Sequence, residues 1–242
     1  MQRCKLTIRY DGTRYSGWQS QPDQITVQEE INTALSRIFG LEITVAGQGR
    51  TDAGVHALGQ TAHVDLPEKL PELNIVKALN SLLPEDIAVI NCEKVNENFH
   101  SRFDAVSRQY CYRITTMRNP VIRNHTWLIE RDIDRELLNS CADLIEGTHD
   151  FVNFSKTDHE YGTTICTIEQ ASWIFDEEII TFTIRGNRFL RHLVRRLVGT
   201  MIKVSDGKLQ LPGFKAMIRS PEMKIKGHSA PAGGLILEKV FY

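Results

Sequence analysis

The chain has 242 residues, enough for one large domain or two small ones around a sizeable core. Hydrophobic residues make up 41% and charged residues 24%, a soluble globular balance, and no stretch approaches the roughly 20 apolar residues that span a bilayer. A net charge of −1 excludes nucleic-acid binding through overall basicity, so any such contact must rest on a local patch.

From Arg3 to Tyr10 the sequence alternates, with Cys4, Leu6, Ile8 and Tyr10 on one side and Lys5, Thr7 and Arg9 on the other. That period predicts a strand with one wet face, ended by Asp11-Gly12. The N-terminus enters this strand directly, so no signal peptide is expected. Thr26-x-x-Glu29 has the form of a capping box, and Val27, Ile31, Ala34, Leu35 and Ile38 recur at helical spacing up to a Gly40 stop. A short strand is predicted at Glu42–Ala46, a glycine-rich turn at Gly47–Gly54 and a strand at Gln60–Leu66. A helix over Asn74–Leu83, stopped by Pro84, and a strand over Ile87–Glu93 complete the first hundred residues.

The second part repeats the theme. A strand is predicted at Ser107–Thr116. A helix follows at Arg135–Glu146, with Asp134 as N-cap and Gly147 just past its end. A hairpin joins Thr163–Phe175 to Ile179–Arg185. A helix begins near Arg188 with Phe189, Leu193, Leu197 and Met201 on one side, and a short helix at Pro212–Ile218 precedes a closing strand at Gly234–Phe241. The alternation is too irregular for a doubly wound parallel sheet. It predicts an α+β fold of two similar subdomains, residues 1–103 and 104–242, sharing a mixed or antiparallel sheet with helices packed on it. Cys4, Cys92, Cys111, Cys141 and Cys166 are scattered without a CxxC pair, which speaks against a disulfide framework or zinc site and for a reducing cytoplasm.

Two basic runs stand out. Ile179 to Ser205 contains no acid but has Arg185, Arg188, Arg191, Arg195, Arg196 and Lys203, and His100 to Arg123 sets five arginines against Asp104 alone. Either run suits an RNA backbone or a solvated surface. On a helix, Arg191 and Arg195 would share a face, with Arg188 one turn earlier. The segment Gly47 to Ala57 (GQGRTDAGVHA) is the sharpest. Its glycines let backbone approach a ligand, and Asp52 is its sole carboxylate, two residues from Arg50. An ionised, oriented carboxylate can act as nucleophile or base. The same residues also suit a plain turn, with Asp52 as cap and Arg50 as tie. His56 and His63 lack the spacing of a metal motif and are expected in a core or wall. No metal or nucleotide motif is present, so no cofactor is expected.

Gly49-Arg50-Thr51-Asp52-Ala53-Gly54-Val55-His56-Ala57 resembles the signature loop of the TruA-type tRNA pseudouridine synthases. Tyr10-Asp11-Gly12-Thr13, Tyr15 and Gly17-Trp18-Gln19 are similar to the family's opening motif, and Thr26 to Glu29 to its first helix start. Phe99 to Phe103, Ser107 to Arg113, Asp150-Phe151, Asn187 to Arg195 and the ending Gly234 to Tyr242 follow in family order, so the resemblance spans essentially the whole chain. The resemblance implies that Asp52 is the nucleophile, that Tyr110 packs against the target uracil, and that Arg195 pairs with the catalytic carboxylate, with Arg50 also at the substrate. Tyr112 is expected in the core. The resemblance further implies tRNA contacts at Leu58, Gly59, Gln60, Thr61 and Ala62, with Arg188 and Arg191 as further candidates. It implies uridine isomerisation at positions 38, 39 and 40 of the anticodon stem–loop by a homodimer. Departures are Gln48, where the family has a small residue, and the acidic connection 156–162.

Isomerisation needs neither redox chemistry nor group transfer to solvent, consistent with a chain that carries no cofactor motif. Two rivals remain: an RNA-binding protein on the same scaffold, and a glycosidic hydrolase. The hydrolase would call for paired carboxylates, and no second acid lies near Asp52 in sequence.

Overall fold

The structure is a computed structural model that describes residues 1–67, 74–156, 162–220 and 225–242. The centre of the acidic connection 156–162, including Asp158, His159 and Glu160, lies outside the described residues. The fold is α+β, and the chain divides into two compact units: Met1–Val106 with Ile236–Tyr242, and Ser107–Leu235. The linear division expected at 103/104 differs from this one, which breaks at 106/107 and returns residues 236–242 to the first unit. Of these, Ile236 and Leu237 pair in parallel with His56 and Ala57.

In the first unit, β1 (Gln2–Tyr10) lies between β3 (His56–Leu66) and β4 (Ile87–Lys94), antiparallel to both. β2 (Ala46–Gly47) adds to β3, and the closing strand β10 (Leu235–Phe241) contributes its part from Ile236 onward. Helix α1 (Val27–Phe39) buries Val27, Ile31, Ala34 and Leu35, the apolar stripe expected. Thr26 caps it by accepting from the Glu29 N–H, and Gly40 leaves it at φ 68°. The capping box closes only on that side, because the Glu29 carboxylate instead accepts from the Ser20 hydroxyl at 2.6 Å.

Two elements fall short of expectation. Most of Glu42–Ala46 is not a strand; only Ala46 is. Its backbone groups are taken by side chains of α1: Asn32 accepts the Val45 N–H at 2.9 Å, Gln28 donates to the Val45 carbonyl at 2.7 Å, and Ser36 accepts the Ile43 N–H at 3.0 Å. Helix α2 spans only Ile75–Asn80, and the Asn80 amide bonds both the N–H and the carbonyl of Val89, each at 2.8 Å. Along residues 42–46 and at Val89 of β4, side-chain amides substitute for regular backbone partners.

In the second unit, β5 (Ser107–Thr115), β9 (Ile180–Gly186), β8 (Ile165–Phe175) and β7 (Gly147–Asp150) form an antiparallel series. β6 (Trp127–Leu128) adds in parallel to β5. The two-residue β6 and four-residue β7 are too short to leave a period in the sequence. Helix α3 (Arg135–Ile145) is capped by Asp134 and packs on β8 and against α4 (Leu193–Ser205) and α5 (Leu211–Arg219). Phe151, Phe154 and Phe214 are fully buried and meet edge to face at 5.8–6.3 Å, each side chain contributing about 1.5–3 kcal/mol by burial. All five cysteines are free thiols.

Candidate active site

The Gly47–Ala57 segment runs from β2 into β3, and the first unit holds it at almost every step. The Gln48 N–H donates to the Thr61 carbonyl at 2.8 Å, and the Gln60 amide donates to the Gly49 carbonyl at 3.2 Å. Trp18 donates its backbone N–H to the Thr51 carbonyl at 3.2 Å, and Gly54 donates to the Tyr15 carbonyl at 3.3 Å. Val55 closes a turn by donating to the Asp52 carbonyl at 3.1 Å. The Thr51 hydroxyl meets the Tyr10 hydroxyl at 2.9 Å in a buried contact.

Three of the partners, Tyr10, Tyr15 and Trp18, come from the segment Tyr10 to Trp18, which lies directly on the loop. Gly17 shows why its residue type matters: it sits at φ 98°, and a Cβ there would stand 2.5 Å from the Thr51 carbonyl oxygen. Gly12 is equally close, with a Cβ falling 2.0 Å from the Val55 oxygen, and its N–H donates to His56 Nδ1 at 3.0 Å. His56 and His63 are both buried, as expected of wall histidines. Burial pushes the His63 imidazole below the usual histidine range, and neighbouring His100 adds to the effect.

Asp52 itself is half-buried and Arg50 is exposed. Of the stretch Leu58 to Ala62, only Leu58 reaches solvent, at 43% exposure. Gly59, Gln60, Thr61 and Ala62 are buried in β3. Gln60 and Thr61 serve there as anchors of the loop, through the bonds to Gly49 and Gln48.

In the second unit, Tyr110 lies on β5 opposite Ile184 of β9, largely buried. Phe189 meets its ring edge to face at 5.1 Å. Tyr112 is fully buried, as expected of a core residue, and donates to the Pro231 carbonyl at 2.8 Å. Burial pushes its phenol up, opposed by the Arg195 charge. Arg195 is half-buried in the first turn of α4, and its Nε donates to the Ala230 carbonyl at 2.9 Å.

The expected helical face of Arg188, Arg191 and Arg195 is corrected by the structure. Helix α4 begins at Leu193, and His192 before it stands at φ 67°, so the chain turns sharply and Arg188 and Arg191 precede the helix. Phe189, expected in a helical core stripe, is freed by the same turn to reach Tyr110. The pre-helical segment is tied at its base by Asn187, whose carboxamide oxygen accepts the Thr167 N–H at 3.0 Å and whose carbonyl accepts from Arg108 at 2.8 Å. Arg191 is exposed and Arg188 half-buried. Arg196 is a brace: it donates to the Ser155 carbonyl, and its half-buried guanidinium is held below the usual arginine range by desolvation. The Tyr10–Thr51 contact and the Phe189–Tyr110 contact have no counterpart among the sequence expectations, because neither leaves a periodic signal.

The first unit thus carries a loop with a single carboxylate and a fixed flanking backbone, and the second a largely buried strand tyrosine and, later in the chain, arginines at several depths. The sequence pattern of the tRNA pseudouridine synthase family matches residues 6–104 and 141–242, and the chain belongs to that family of uridine-to-pseudouridine isomerases. Among curated relatives it is similar to tRNA pseudouridine synthase A of Clostridium kluyveri, 40% identical over 244 residues and covering 100% of both chains. It is also similar to the protein of that name from Bacteroides thetaiotaomicron, 41% identical over 245 residues, 100% of this chain and 91% of the relative. A third, from Azobacteroides pseudotrichonymphae, is 38% identical over 242 residues, 100% of this chain and 97% of its own.

Proposed function

We propose that this protein isomerises uridine to pseudouridine at positions 38, 39 and 40 of the tRNA anticodon stem–loop, as a cytoplasmic homodimer with Asp52 as nucleophile. The observation that carries the assignment is the loop itself. Asp52 is its sole carboxylate, it is partly accessible, and the carbonyls of Thr51 and Asp52 are both hydrogen-bonded. The backbone that carries the carboxylate is thus held before the substrate arrives, and holding a reacting group in place lowers a barrier.

The reaction breaks the C1′–N1 bond of uridine, turns the uracil and forms a C5–C1′ bond. A proton leaves C5 and N1 gains one, so there is no net oxidation. The base must leave its stack at a cost of a few kcal/mol. Tyr110 returns about 1–3 kcal/mol of this by packing against the extruded base. Asp52 acts on the ribose of that nucleotide. Arg195, fixed by its bond to Ala230, serves substrate binding. Arg50, exposed on the same loop as Asp52, holds the substrate beside it. Arg191, Arg188 and the exposed Leu58 contact the RNA, the arginines through phosphates. The buried residues Gly59 to Ala62 support the loop and are not assigned to RNA.

The test is modification of an unmodified tRNA transcript, read by carbodiimide-dependent primer-extension stops. Stops at 38, 39 and 40 are expected. Tight binding without stops would identify an RNA-binding module, and release of free uracil a hydrolase. The dimer is tested by light scattering, where the mass of a single chain would refute it.

A further inference from the structure

We infer that Tyr10 and Thr51 form a positioning pair that aims the Asp52 carboxylate, an inference that rests on Asp52 being the nucleophile. Both hydroxyls are inside the protein: Tyr10 is 4% exposed and Thr51 8%, and their oxygens are 2.9 Å apart. Tyr10 is a firm anchor because it closes β1, flanked by Ala57 of β3 and Ile87 of β4. Its ring also leans on Trp18, 6.1 Å away between centroids. Trp18 is 1% exposed and supplies the N–H that holds the Thr51 carbonyl.

The geometry explains why residue 51 controls residue 52. The Thr51 carbonyl belongs to the peptide unit before the Asp52 Cα, and the Asp52 carbonyl to the unit after it. The first is held by Trp18 and the second by Val55. Fixing both peptide planes fixes φ and ψ of Asp52, and with them the direction of its Cα–Cβ bond. The Tyr10–Thr51 hydroxyl contact prevents the Thr51 residue from rotating about this frame. Neither hydroxyl touches substrate in this account; they act through Asp52. Displacement of a reacting group by about 1 Å can cost about a hundredfold in rate.

The experiment uses the full chain and an unmodified tRNA transcript under single-turnover conditions, with tRNA affinity measured in parallel. The variants are Thr51→Val, Thr51→Ser, Tyr10→Phe, the Tyr10→Phe/Thr51→Val double and Asp52→Asn. Thr51→Val and Tyr10→Phe are expected to slow modification about tenfold or more, with tRNA Kd within about twofold. Thr51→Ser, which keeps the hydroxyl, should stay within about threefold of wild type. The double should be no slower than the worse single, since the same contact is lost once. The double leaves neither hydroxyl without a partner, so it carries the test if a single variant does not fold. Folded Thr51→Val or double protein modifying at the wild-type rate, while Asp52→Asn is inactive, overturns the positioning pair and leaves the nucleophile intact. Equal defects in Thr51→Ser and Thr51→Val also overturn it. An active Asp52→Asn instead overturns the underlying assignment.

Discussion

The two units solve different problems with different materials. The first unit holds a short loop by hydrogen bonds with Trp18, Tyr10, Gln60 and Tyr15, and brings Gly12 and Gly17 close enough to its backbone that a single methyl group would collide. The second unit presents arginines at graded depths: Arg191 exposed, Arg188 and Arg195 half-buried, and Arg196 turned inward onto Ser155. In the proposed roles, a carboxylate that must reach a reacting atom tolerates little displacement. Cations that must meet a phosphate backbone tolerate far more, because the attraction falls off slowly and long side chains adjust. The first unit is therefore expected to be sensitive to position at constant charge, and the second to charge at variable position.

The sharpest way to break this comparison is to keep charge and move it. Asp52→Glu adds one methylene and should slow single-turnover modification about a hundredfold or more, whereas Arg191→Lys should change tRNA affinity less than about twofold. A mild Asp52→Glu defect would mean that the loop does not fix the carboxylate. Gly17→Ala comes next. Its Cβ would press on the Thr51 carbonyl from a left-handed backbone, so a rate loss of about tenfold to a hundredfold is expected with tRNA affinity nearly unchanged. Arg195→Ala should lower the catalytic step about tenfold while weakening binding less, and the reverse order would move Arg195 among the plain RNA contacts. Arg191→Ala should weaken binding a few-fold on all tRNAs and reduce the salt slope by about one.

The smallest effect concerns pH and the wall of the first unit. His63 accepts the Ser101 N–H at 3.2 Å, and burial holds its pKa below the usual histidine value of about 6.5. The unfolded chain therefore takes up a proton before the folded one as pH falls. Stability should drop as pH is lowered from about 6.5 toward the depressed folded pKa, with no contribution from this group above 6.5. Urea unfolding of wild type and His63→Gln at pH 7.5 and 5.5 measures this: the wild type should lose more stability than the variant over that interval.

The two units also differ in how far their sequence could be read. Helix α1 was legible to the residue at both ends because Thr26 and Gly40 act locally. The Gly47–Ala57 loop stands out in the sequence because its composition is unusual, and Asp52 is its sole acid. The start of α4 was not legible. Arg188, Phe189 and Leu193 have helical spacing, yet His192 in the left-handed region breaks the chain between them. Contacts across long sequence separations, such as Tyr10 with Thr51 and Phe189 with Tyr110, write no period into either partner. Gly59 to Ala62 illustrate the opposite case: resemblance to a tRNA-contacting segment implied RNA contact, while all four residues are buried in β3.

The central claim is that catalysis resides in one pre-aimed carboxylate, and Asp52→Asn tests it most directly. Single-turnover modification and tRNA affinity should be measured on the same folded preparation. The account predicts a rate at least about a thousandfold below wild type, with affinity within about tenfold because binding rests mainly on phosphate contacts. Turnover near the wild-type rate in that variant would contradict it.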